Sequence, residues 1–187
     1  MFCQTSFHKL IYFDFPEVIT FRGVYPTDSC FYVVGNFTDT VSLLTSGVLF
    51  AKISQTGELQ LFKTFNNPGS FDDYENAYSD LMRTSDGNLL TAGGLYDTTS
   101  NAQIRVFNTE GDTVLTKSFR SILYPEHSYL VVLGIQRRLN GDYGVLISFE
   151  TNENPHDADI SLLVLDSLYQ VKSYNCLLYT SGRQWKL

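Results

Sequence analysis

Basic residues are scarce in this 187-residue chain: 13 Lys and Arg stand against 20 Asp and Glu, for a net charge of −7. That balance excludes a broad basic surface of the kind that grips nucleic acid or anionic lipid. No nucleic-acid partner is expected. No apolar run reaches the roughly 18 residues of a membrane helix, so no membrane insertion is expected either. Cysteine is sparse and odd in number. Cys3, Cys30 and Cys176 have no CxxC spacing and cannot build a disulfide framework. Cys30, inside an apolar alternating run, reads as a small core residue. The three histidines, His8, His127 and His156, form no His-x-His or Cys-His cluster, so no zinc site is expected. The start, Met1-Phe2-Cys3-Gln4-Thr5-Ser6, lacks both the basic and the apolar part of a secretory signal. The chain is therefore expected to be either cytoplasmic or cut from a longer secreted precursor. The triplet Asn36-Phe37-Thr38 is a glycosylation sequon and a weak sign of export.

Aromatics are plentiful: 14 Phe and 12 Tyr against a single Trp, within a 43% hydrophobic composition. Such a chain can pack a core, and its length suits one domain.

The chain repeats itself. A small-plus-aromatic ending recurs as Thr5-Ser6-Phe7, Lys63-Thr64-Phe65, Lys117-Ser118-Phe119 and Lys172-Ser173-Tyr174. A polar turn recurs as Asp28-Ser29, Asp86-Gly87 and Asn140-Gly141, each opening 21 residues after the preceding aromatic. A third marker closes another apolar run: Ile53–Gly57, Phe107–Gly111 and Leu165–Tyr169. Between the markers lie short runs of Val, Ile, Leu, Phe and Tyr, with no sustained helical period. Asp-Gly and Asn-Gly are hairpin signals because they tolerate the positive φ of a tight turn. In the middle copy the expected strands are A, 77–84; B, 88–93; C, 103–108; and D, 113–119.

Four antiparallel strands in about 55 residues cannot bury both faces of their sheet alone, whereas stacking neighbours around an axis can. The expected fold is all-β: a β-propeller fragment of about three four-stranded antiparallel blades, with partial strands at both ends. A β-sandwich does not explain the constant 21-residue spacing. Residues 1–187 are expected to form one partial propeller domain, with units at about 8–65, 66–119 and 120–175 and a poorly fitting tail at 176–187. Terminal units of an incomplete ring would each expose an apolar face, and self-association through those open edges is expected.

The phrases Thr84–Gly94, Ile104–Asp112 and Thr116–Phe119 resemble the loose propeller repeats of large secreted Bacteroidota proteins associated with type IX secretion. The resemblance spans about Phe7 to Asn175. It implies an extracellular or cell-surface location as part of a longer precursor. The third copy departs from the pattern, with Ile147 at the place of Gly35 and Gly93, and Tyr169 at the place of Gly57 and Gly111. The doublet Gly93-Gly94 gives a distant likeness to kelch repeats. The Trp of quinoprotein repeats is missing after the Gly57 and Gly111 turns.

No catalytic residue is assigned, because no nucleophile sits with a base and an orienting partner. No cofactor is expected. Calcium is weighed for two acidic loops, Asp72–Glu75 and Glu153–Asp159, although neither matches a known calcium-loop pattern. The A–B and C–D turns should lie on one side of the blades. The B–C loops, at about Asn36–Ser46, Leu95–Asn101 and Glu150–Asp157, should lie on the other with the D–A connections. That second face carries recurring aromatics, and Tyr12, Phe15, Phe71, Tyr74, Tyr124 and Tyr129 are the candidate ligand-binding residues. The expected function is a non-catalytic propeller segment that binds a protein or glycan ligand or acts as a scaffold. The alternatives are part of a glycan-active hydrolase or lyase, and a self-associating structural repeat.

Overall fold

A computed structural model describes residues 17–39, 46–65, 71–73, 81–96, 100–120, 129–151 and 154–178. All regular structure among them is strand. The first blade is β1 (Glu17–Pro26), β2 (Cys30–Asp39), β3 (Ser46–Ser54) and β4 (Leu59–Phe65), each antiparallel to the one before. The second holds β7 (Leu89–Tyr96), β8 (Ser100–Phe107) and β9 (Thr113–Arg120), with its first strand in two pieces, β5 (Phe71–Asp73) and β6 (Met82–Arg83). The third is the meander β10 (Tyr129–Arg137), β11 (Tyr143–Thr151), β12 (Asn154–Leu165) and β13 (Val171–Leu178).

Three details differ from the sequence expectation. Strand A of the second blade was expected over 77–84. Of that span, 77–80 lie outside the described residues; among the described ones Met82–Arg83 pairs with Leu90–Leu89, and Gly94–Tyr96 has Asp73–Phe71 as its partner. Phe71 also meets Ser46 in a parallel bridge, so β5 joins the first two blades along one edge. In the third blade Tyr174 pairs with Leu163, as Thr116 pairs with Arg105. Tyr174 therefore matches Thr116 rather than Phe119, because strand D is registered from the C–D turn and not from its aromatic. Strand β13 continues to Leu178, three residues into the stretch expected to fall outside the repeat.

Five hairpins share one loop design. In each, the residue that ends a strand or directly follows it receives a bond from the N–H three positions on and donates its own N–H to the carbonyl four positions on. The pairs run Ser54–Gly57–Glu58, Thr84–Gly87–Asn88, Asn108–Gly111–Asp112, Arg138–Gly141–Asp142 and Asp166–Tyr169–Gln170. These are type I turns closed by a bulge residue in the left-handed region. Only that residue has positive φ: Gly57, Gly87, Gly111, Gly141 and Tyr169. Asp86 and Asn140 keep negative φ, so their value lies in side-chain bonding rather than in tolerance of the left-handed region.

Strand alternation divides the hydrophobic residues between two interfaces. Tyr32, Val34, Val48 and Phe50 of the first blade pack with Leu89 and Phe107 of the second. Leu90, Ala92, Ala102, Ile104 and Val106, on the opposite face of the second blade, pack with Val145, Ile147, Leu163 and Leu165 of the third. Leu89 and Leu90 are neighbours in sequence and serve different cores. The near-continuous apolar runs are thus those of sheets covered on both sides.

Tyr169 occupies the bulge position at φ 60°, which costs a non-glycine residue about 1–2 kcal/mol. Its ring stacks on Tyr143 at 5.3 Å between centroids and packs against the core shared with the second blade, which offsets that cost. At Gly111 a Cβ would lie 2.8 Å from Phe50. Ile104 stands at the register position of Phe50 in the preceding blade for Tyr169, and its smaller side chain leaves room.

Candidate functional site

One edge of the blades is locked. The loop side chains bond back to their own backbone: Asn108 Oδ1 accepts from Glu110 and Asp112 N–H at 3.0 and 2.8 Å, and Asp166 Oδ1 accepts from Leu168 and Gln170 N–H, both at 2.8 Å. Lysines of strand D then reach the C–D turn of the following blade. Lys63 Nζ meets Asp112 Oδ1 at 2.6 Å, and Lys117 Nζ donates to Gln170 Oε1 at 2.9 Å. In the third blade Lys172 pairs with Asp142 of its own A–B turn at 2.8 Å. Gln55 donates to the Asp28 carbonyl, tying the two turns of the first blade together.

These bonds pull three carboxyl groups below their ordinary value. Asp112 and Asp142 are held down first by the lysine hydrogen bonds, and Asp86 first by the Thr84 hydroxyl. A depressed folded-state value means stability that is complete above the unfolded value near 3.8 and is lost as pH falls below it. The melting temperature is therefore expected to be flat from pH 7 to about 5 and to fall steeply below about 4. Scanning calorimetry across that range checks it. Asp86 and Asp112 are solvent-exposed, so Asp86→Asn or Asp112→Asn should blunt the fall only slightly, whereas Asp142 is buried beside Lys172 and Asp142→Asn should blunt it most.

The opposite edge carries the B–C connections and the D–A segments. Strands run further into it than expected. Asn36–Asp39, Leu95–Tyr96, Ser100–Asn101, Glu150–Thr151 and Asn154–Asp157, all anticipated as loop, lie in β2, β7, β8, β11 and β12. Of the candidate aromatics, Phe71 opens β5 opposite Tyr96, and Tyr129 opens β10 opposite Glu150. Both stand at this edge, at strand ends. Tyr12, Phe15, Tyr74 and Tyr124 lie outside the described residues. Of the two acidic segments weighed for calcium, Asp72 and Asp73 are strand residues and Asn154–Asp159 belongs to β12. Among the described residues no group of three or more His, Cys, Asp or Glu is placed to hold a metal ion.

Sequence reasoning passed over a buried polar layer between the first and second blades. Asn36, Thr91, Gln103 and Arg105 are all at most 4% exposed. Arg105 lies over the Phe65 ring at 5.7 Å and donates from Nη2 to Gln103 Oε1 at 3.1 Å, while Gln103 Nε2 donates to Ser118 Oγ at 3.2 Å. The signal was present in Ile104-Arg105-Val106-Phe107, where a cation occupies a strand position with apolar neighbours on both sides. Burial of Asn36 also removes the sequon from the surface of the folded protein, so it carries no weight as a sign of export.

A third feature is the outer face of the last blade. Leu133, Gly134, Gln136, Gly144, Leu146 and Leu162 line an apolar concavity of about 500 Å³ there. The register explains it. Gly144 and Leu146 match Leu90 and Ala92, and Leu162 matches Ile104, the residues by which the second blade holds the third.

No protein-family model matches this chain, and no curated protein matches it. Among solved structures it is similar to a GH43 endo-arabinanase from Bacillus licheniformis, with a TM-score of 0.50 and 11% sequence identity. The match covers 86% of this chain and 59% of that one. At this identity the likeness is one of fold. The stacked four-stranded sheets and the likeness together define the class: an all-β propeller segment of three antiparallel blades. The chain spans 59% of the length of the arabinanase structure it matches.

Proposed function

We propose that this chain is a propeller segment that binds a protein or glycan ligand through the edge carrying the B–C and D–A connections. The carrying observation is the asymmetry between the two edges. Five of the six hairpin loops at one edge share a single design, and that edge is tied across the blades by Lys63–Asp112 and Lys117–Gln170. The connections that differ from blade to blade gather at the other, where Phe71 and Tyr129 stand. A rigid scaffold with its variation on one side is the common layout of a binding protein. Work at the outside of a cell, as part of a longer polypeptide, fits the resemblance to secreted propeller repeats.

A second reading is supported by the fold neighbour: a segment of a glycan-active enzyme, with arabinan as the first substrate to try. One of its carboxylates would come from Asp72 or Asp73, neighbours in β5 at the same edge, with its partner elsewhere on that edge. Glycoside hydrolysis needs two carboxylates about 5–10 Å apart.

Calorimetric titration against a polysaccharide panel that includes arabinan, with a reducing-sugar assay on the same mixtures, separates the two. Binding without release of sugar, weakened at least tenfold by Phe71→Ala or Tyr129→Ala and unchanged by Val114→Ala, is the expected result. Sugar release abolished by Asp72→Asn or Asp73→Asn would replace the binding role with the enzymatic one.

A further inference from the structure

We propose that Asn140-Gly141 is a site of spontaneous modification, at which the Gly141 amide nitrogen attacks the Asn140 side chain when the turn between β10 and β11 opens, and that the closed turn holds the reaction off. The inference is independent of the ligand-binding role, because this turn stands at the opposite edge of the blades.

The reaction needs an asparagine followed by a residue whose nitrogen is not crowded by a side chain. The Gly141 nitrogen bonds to Asn140 Cγ, the Cγ–Nδ2 bond breaks, and ammonia leaves with the amide proton. The product is a five-membered imide, which water then opens. Cleavage at Cγ leaves an aspartate. Cleavage at the backbone carbonyl leaves an isoaspartate, whose main chain runs through Cγ. One water enters and one ammonia departs, with no oxidant or reductant. Asn140-Gly141 is the one Asn-Gly in the chain. Asn88 and Asn108, at two other turns of the same edge, precede Leu89 and Thr109, whose side chains crowd the attacking nitrogen. Asp86-Gly87 offers the same glycine, but the Thr84 hydroxyl holds the Asp86 carboxyl below its ordinary value, and an ionised carboxylate is a poor electrophile.

The site is open in space and closed by hydrogen bonds. Asn140 is exposed, and a Cβ at Gly141 would meet nothing within 4 Å, so the imide ring has room. What stands against the reaction is the turn itself. The Gly141 N–H donates to the Arg138 carbonyl at 3.0 Å. Asp142 holds both ends of the Asn140 carboxamide: Nδ2 donates to Asp142 Oδ2 at 2.8 Å, and Oδ1 accepts from the Asp142 N–H at 3.2 Å. Asp142 is in turn fixed by Lys172 at 2.8 Å. Nucleophile and electrophile are each engaged elsewhere, and opening the hairpin frees both together.

The change runs one way. An acid at position 140 places a second negative charge beside Asp142, where an amide donor stood. An isoaspartate adds a carbon to the main chain inside a loop whose bonds run from Arg138 to Gly141 and Asp142. A turn that has reacted does not close again in its former geometry.

Incubation of the 187-residue chain near neutral pH, with tryptic mapping by mass spectrometry, tests this. Trypsin cuts after Arg138 and Lys172, and fragmentation of the peptide between them distinguishes Asn140 from Asn152 and Asn154. In urea, Asn140 should gain the mass of an amide turned to an acid. Gly141→Ala should slow that gain at least tenfold there, where the fold plays no part. In the native chain the gain should be at least tenfold slower than in urea, and Asp142→Ala should restore most of the difference. The isoaspartate form, separated by chromatography, should melt below the parent. No gain at Asn140 in urea overturns the site, and so does an equal gain at Asn88 and Asn108. A native rate equal to the rate in urea, or one that Asp142→Ala leaves unchanged, overturns the role of the turn.

Discussion

Gly35→Ala is expected to destabilise the protein by about 3 kcal/mol or more, whereas Gly141→Ala should cost only about 1–2 kcal/mol. Both are glycines in or beside hairpins, and the difference lies in what a methyl group would meet. Gly35 faces Phe21 across the ladder, where β1 carries a bulge between Phe21 and Gly23. A Cβ at Gly35 would overlap the Thr20 carbonyl oxygen and sit 2.9 Å from the Phe21 Cα. Both atoms are backbone, so no rotamer change relieves the contact, and β1 would have to leave its place on β2. Gly141 has nothing within 4 Å of a Cβ, so its penalty is confined to the positive φ of 87°. For a domain of this size the Gly35 change corresponds to a melting temperature lower by roughly 6–12 °C. Thermal melts of the two variants, side by side, provide the test. Equal losses would mean that β1 crosses β2 less closely than it does here.

Phe107→Ala is the second large effect, with an expected loss of about 3–5 kcal/mol. Phe107 is fully buried, 5.0 Å from the Phe50 ring and 5.3 Å from the Phe65 ring between centroids. It belongs to the second blade, and both partners belong to the first. Its removal therefore opens a cavity at the junction between two blades. Urea titration should show a lower midpoint and a broader transition, as the first blade begins to unfold on its own. Phe107→Leu, which keeps most of the volume, should cost about half as much or less. Val114→Ala, on the exposed side of β9 at 56% exposure, should stay within about 0.5 kcal/mol of the parent. A Phe107→Ala variant that unfolds in one sharp step with an unchanged midpoint would show that the blades are not held together by this aromatic cluster.

Much of the architecture was legible in the sequence because a blade is a local object. Its four strands follow one another, and its turns announce themselves through polar residues at fixed places. Strands B, C and D of the middle copy were readable to within about three residues for that reason. The short strand β5 was not, because it ends nine residues before Met82 in sequence and is held by pairing with Gly94–Tyr96 and Ser46. The ending Lys172-Ser173-Tyr174 looks like Lys117-Ser118-Phe119, yet the ladder places it three positions away. Similar residues do not set register, while hydrogen bonding from the nearest turn does.

The candidate site was legible only as a side of the molecule. Recurrent aromatics between strands D and A point to one edge, and Phe71 and Tyr129 stand there. Arg105 escaped notice because a strand written in sequence does not reveal which of its faces will be covered twice.

What the sequence by itself determined is the repeat, the all-β class, the four-strand unit and the positions of the turns. Each depends on contacts between residues close along the chain. Tertiary structure alone decided which apolar residue serves which interface, that Asn36 and Arg105 are buried, and that Leu146 and Leu162 are left open. Those outcomes depend on how one sheet is laid against the next. Adjacent residues of a strand face opposite neighbours, so the same alternating pattern is core on one side of a blade and surface on the other until the stack is assembled.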